Sequence, residues 1–135
     1  MDKLTKDNIC SFVKISISDK KYNDELLFCL SAKVIKRIKD ILYIDLTNYQ
    51  GVISSHSIRH IKKGHPDDIS YICDIFEILE KFTHIKKSIT RDRRTGSSLV
   101  SLEFYKTYNK KTVKLVKLRV YRKKRLELKT LFVKD

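Results

Sequence analysis

The polar and apolar positions change period along the chain. Residues 11-18 alternate, with Val13, Ile15 and Ile17 on one face, and predict a strand. After a polar turn at 19-23, Asp24 can cap a helix on which Leu27, Leu30, Val34, Ile38 and Ile41 recur at helical spacing. A short apolar run, 41-44, follows, and Tyr49-Gln50-Gly51 predicts a turn. Ser54 or Ser55 can cap a short helix through His60, ended by Gly64. Pro66 suits the first position of a further helix over 67-82, whose apolar stripe is Ile69, Ile72, Cys73, Phe76 and Leu79.

Beyond residue 84 the period becomes two. Segments 84-89, 98-105, 112-121 and 126-133 predict four strands, joined by a loop at 91-96 and turns at 108-111 and 122-125. Helices followed by hairpins imply an α+β domain, with N-terminal helices packed on a C-terminal antiparallel β-meander of about four strands. One domain is expected over 1-135. It comprises an N-terminal strand and helix extension (1-50), His-bearing helices (54-82) and the meander (84-133).

Charge changes this picture from architecture to partners. The chain of 135 residues carries a formal charge of +14, and a chain of this length can bury a real core. Residues 1-85 hold 13 Lys+Arg against 12 Asp+Glu, whereas 86-135 hold 17 against 4. Nearly all the excess therefore sits on the predicted meander, and a polyanion is the implied partner, nucleic acid first, with an anionic membrane surface or an acidic protein as competitors. Three widely spaced cysteines, Cys10, Cys29 and Cys73, argue against a disulfide framework or a structural zinc site and for a reducing location. No apolar stretch reaches the ~18 to 20 residues of a membrane span, so no membrane partner is expected.

The chemistry-bearing block is 55-66, which holds three of the four histidines. His56 and His60 share a helical face, but no carboxylate or cysteine stands at ligand spacing, so neither metal nor cofactor is expected. His60 and His65, freed from one helical axis by Gly64, can serve as an acid and a base near neutral pH. They can equally be a packed side chain and a helix cap. RNA transesterification needs such a pair plus cations for the charge that develops on phosphorus. Lys106, Arg122, Lys129 and Thr130 are candidate donors, with Thr130 in phase with Leu126, Leu128 and Phe132. Arg59, Lys62, Lys63, Arg91, Arg93 and Arg94 are candidate phosphate contacts, and Tyr105 a candidate stacking platform.

With these residues in view the chain resembles the phage-type branch of the barnase, EndoU, colicin and RelE-like nuclease superfamily. The likeness lies in His60-Ile61-Lys62-Lys63-Gly64-His65-Pro66, in the strand 102-106 and in the late strand 126-132, and spans roughly 30-133. It implies a metal-independent endoribonuclease, a toxin or phage effector, that leaves a 2′,3′-cyclic phosphate on RNA such as tRNA. It further implies His60, His65, Lys106 and Thr130 as catalytic residues, and a monomer acting in the cytoplasm. A cognate immunity protein and delivery within a larger secreted or phage-borne protein complete the expectation. The segment 10-18 has no counterpart in that pattern. The alternatives are a non-catalytic nucleic-acid-binding module and a phage structural or adaptor domain.

Overall fold

A computed structural model describes residues 4–134. In chain order the elements are α1 (Lys6–Ser18), β1 (Glu25–Cys29), α2 (Ala32–Leu42), β2 (Gln50–Ser54), α3 (Ser55–Gly64), a 3₁₀ helix (Pro66–Asp74) and α4 (Ile75–Lys81). Then come β3 (His84–Arg91), β4 (Ser98–Tyr108), β5 (Lys111–Val120) and β6 (Arg125–Lys134). The class is α+β, and the four meander strands form as the alternation predicts. The sheet is larger than the meander, however: six strands in the order β1-β2-β6-β5-β4-β3, with β2 antiparallel to β1 and parallel to β6.

Four local expectations fail. Residues 6-18 are helix, not strand. Thr5 and Asn8 form a reciprocal capping box, and the buried positions Ile9, Phe12, Val13 and Ser16 follow helical spacing. Ile15, which the alternation would bury, is 41% exposed. The long helix predicted from Asp24 is instead β1 and α2. Ser31 accepts from the Val34 amide to start α2, and Tyr49-Gln50-Gly51 runs into β2 rather than turning. The helix over 67-82 opens as a 3₁₀ segment and becomes α-helical only at Ile75.

The thiols also depart from expectation. Cys10 on α1 and Cys73 on the 3₁₀ helix are bonded as a disulfide, with Cα atoms 5.1 Å apart, whereas Cys29 is free and exposed. Only the packing of α1 on the 3₁₀ helix closes that 63-residue separation. A loop of this length corresponds to about 4 kcal/mol in the chain-entropy view of disulfides.

Helices cover one face of the sheet. Phe104, Leu115 and Leu131 form one cross-strand row there, fully buried with Ile38, Ile58, Ile61, Ile72 and Ile78. The Phe82 ring packs edge-on against Phe104 at 5.5 Å. Gly51 lets the Phe28 ring cross β2, because a Cβ at that position would overlap the ring. Among the described residues no helix is long and apolar enough to cross a membrane.

Candidate nucleic-acid interface

One irregularity of β6 decides which side chains face away from the helices. Val116 pairs with Thr130 but Lys117 pairs with Leu128, so Lys129 is the extra residue of a bulge. Before it, Leu126 and Leu128 point to the helices. After it, Leu131 and Val133 do, while Thr130 and Phe132 turn to the other face. Thr130 is therefore not on the buried face that the unbroken alternation assigned to it.

Register then defines the helix-free face. Across β3, β4, β5 and β6 run the rows Lys86–Glu103–Val116–Thr130 and His84–Tyr105–Lys114–Phe132. Lys106 belongs to the opposite face. Its ammonium stands 4.3 Å over the Tyr108 ring, which itself contacts Tyr71 of the 3₁₀ helix. The fold thus separates Lys106 from Thr130, and the shared role expected for them does not survive.

α3 borders the helix-free face beside β6. Ser54 caps it by accepting from the Ser57 amide, and Ser57 donates to the Leu128 carbonyl at 2.8 Å, which fixes the helix against the strand. Ile58 and Ile61 face the core, so His56 and His60 are left outward on one side. A cleft of about 280 Å³ results, lined by His56, Ser57, His60, Leu118, Glu127, Leu128 and Lys129. Arg125 bridges Glu25 and Glu127 at its edge, its Nε 3.1 Å from Glu127 Oε2. Among the described residues no group of three or more His, Cys, Asp or Glu side chains is arranged to hold a metal ion.

His65 does not line that cleft. It lies between α3 and the 3₁₀ helix with its ring stacked on Phe132, centroids 4.8 Å apart and planes at 17°. His60 and Lys129 are thus brought together, Thr130 follows Lys129 on β6, and His65 packs on Phe132 further along that strand. His56 and Glu127 complete the cleft, although neither was a candidate for acid–base work in the sequence. The i,i+4 spacing of His56 and His60 was the available signal. Nothing in the sequence marks Glu127 for the cleft, because the imidazoles it meets there come from α3.

The remaining basic candidates divide. Arg59 is not a free phosphate contact: its guanidinium donates to the carbonyls of Ser16 (3.0 Å) and Tyr22 (2.9 Å) and to Asn23 Oδ1 (2.9 Å), tying α3 to the α1–β1 connection. Lys62 and Lys63 are exposed in the last turn of α3. Arg91 at the end of β3, Arg93 and Arg94 on the β3–β4 loop and Arg122 on the β5–β6 turn are exposed at one end of the sheet. Tyr105 is only 7% exposed and its hydroxyl donates to Glu103, so it is no open stacking platform. Burial raises the Glu103 pKa, but hydrogen bonds from Tyr105 and Lys114 outweigh that and hold the carboxyl below its ordinary range.

No family model, curated protein or solved structure matches the chain.

Proposed function

We propose that the protein is an endoribonuclease whose reaction site is the cleft between α3 and β6, and that it belongs with the nuclease superfamily its His60–Pro66 block resembles. The observation that carries this reading is the convergence of two imidazoles, a carboxylate and an ammonium on one cleft. These are the groups that metal-independent RNA cleavage requires. An RNA 2′-oxygen attacks the adjacent phosphorus while a base, His60 or Glu127, takes its proton. The P–O5′ bond breaks as the second imidazole protonates the leaving oxygen, and Lys129 offsets the charge on the phosphoryl oxygens. The products are a 2′,3′-cyclic phosphate and a 5′-hydroxyl.

Purified protein incubated with tRNA and total RNA in EDTA is expected to yield those termini. His60→Ala and His56→Ala should each slow cleavage by ~10²- to 10⁴-fold, the usual share of a positioned acid or base, with an unchanged circular-dichroism spectrum. Intact RNA after long incubation with wild type, or full activity in His60→Ala, would refute the reading. The first outcome would favour a non-catalytic basic module. That reading is supported by the clustering of Arg91, Arg93, Arg94 and Arg122 at the sheet end, outside the residues that line the cleft.

A further inference from the structure

The opposite end of the same face carries a second concavity, of about 390 Å³, lined by Thr83, His84, Lys86, Tyr105, Thr107, Thr112 and Lys134. Its centre is the Tyr105 ring. Three ammonium groups converge on that ring, with Lys86 and Lys114 Nζ each 5.8 Å and Lys134 Nζ 5.2 Å from its centroid. The His84 ring lies 5.6 Å away. Among the described residues only Lys114 has a carboxylate partner, Glu103 at 3.2 Å. Among the described residues none lies within ion-pair distance of Lys86 or Lys134. An aromatic face attracts cations without neutralising them, so the ring gathers positive charge that stays available to an anion. Hydroxyls at the rim, Thr107 and Thr112 at 3.3 Å from each other, add donors of the kind phosphate oxygens accept from.

Strand β6 links this concavity to the α3 cleft. Lys129 borders one and Lys134 the other, and five residues of strand separate them, about 17 Å. Between them Phe132 holds the His65 ring against the face.

We propose that the Tyr105 concavity is a second phosphate site, which holds a phosphate of the same RNA strand a few nucleotides from the bond in the α3 cleft. Lys86 and Lys134 are its principal contacts. The occupant rests on the RNA reading above, whereas the anion site rests only on the cluster around Tyr105. A substrate of several nucleotides lying along β6 then outcompetes a dinucleotide by engaging both sites.

The test uses binding, so that it stands apart from cleavage. Single-stranded 2′-O-methyl RNA, which lacks the attacking hydroxyl, is titrated as an eight-nucleotide and a two-nucleotide probe across a salt series. The proteins are wild type, Lys86→Ala/Lys134→Ala and a charge-matched control, Lys14→Ala/Lys33→Ala, on exposed helical positions. The Lys86/Lys134 variant should bind the longer probe more weakly. Its log–log salt slope should be shallower by about 0.7 for each phosphate that is no longer neutralised. The helical control should keep the wild-type slope, and the two-nucleotide probe, which occupies the α3 cleft alone, should not distinguish it or the Lys86/Lys134 variant from wild type. Equal slope changes in both double variants, or none in either, would overturn the site. An equal loss for the two-nucleotide probe would show a site for a separate nucleotide and overturn the shared-strand claim. Failure of RNA cleavage with these slopes intact would strike only the catalytic reading.

Discussion

Lys117 sits in the core and should make stability depend on pH in a way that can be calculated. It is on the helix-facing side of β5, between Leu102 on β4 and Leu128 on β6, fully buried, with Nζ 4.7 Å over the Phe28 ring and no hydrogen-bond partner. Burial disfavours its charged form and pushes the pKa down to about 7, from an ordinary 10.5. Between these values the unfolded chain binds more protons than the folded one, so stability rises with pH. The effect is absent below about pH 7, where both states are protonated, and complete above 10.5. Each pH unit is worth about 1.4 kcal/mol, so the full effect is about 5 kcal/mol, of which roughly half falls between pH 7.5 and 9.5.

Urea unfolding of wild type and Lys117→Met through this window isolates the effect, because the general relief of positive self-repulsion acts on both proteins. Methionine keeps the volume and removes the amine. The variant should be the more stable at pH 7, and the difference should shrink by about 3 kcal/mol as pH rises to 9.5. A difference that stays constant with pH would refute the reasoning, since it would mean that the ammonium finds solvent or a partner in the folded state.

Two further expectations concern the scaffold. Arg59→Ala should destabilise the protein by roughly 2–3 kcal/mol in urea unfolding, because it strips a charged donor from the Ser16 and Tyr22 carbonyls, with no rescue by Arg59→Lys. RNA affinity unchanged in folded Arg59→Ala would agree with its structural role, and a selective loss of affinity without loss of stability would contradict it. Gly51→Ala should lower the unfolding midpoint by the equivalent of about 1–3 kcal/mol through overlap with Phe28, whereas Gly64→Ala, with nothing near its Cβ, should raise it by up to about 1 kcal/mol. Equal responses at the two glycines would contradict the packing of Phe28 across β2.

The meander was legible because its strands are long, alternate over most of their length and end in turn residues, so local pattern and tertiary environment largely agree. The start of α3 was legible for a similar reason: Ser54 is a side-chain cap, and capping is settled within four residues. The charge asymmetry, too, is a property of the sequence alone, and so is the pairing of His56 with His60 on one side of a helix.

Where local signals conflict, packing decides. Val13, Ile15 and Ile17 alternate, yet α1 forms because Ile9, Phe12, Val13 and Ser16 can be buried together only on a helix that docks against α3 and the 3₁₀ segment. β1 depends on β2, and β2 on β6, partners that no local window contains. The site divides along the same line. The sequence supplies His60, Lys129 and Thr130, but a one-residue bulge at Lys129 chooses the face that Thr130 meets, and cross-strand register puts Lys106 on the other. Glu127 and the lysines around Tyr105 join their clefts only through strand pairing and helix docking. Periodicity says that two faces exist. Which face is buried, and which charged groups of different strands meet on the other, follows from long-range pairing that only the folded chain specifies.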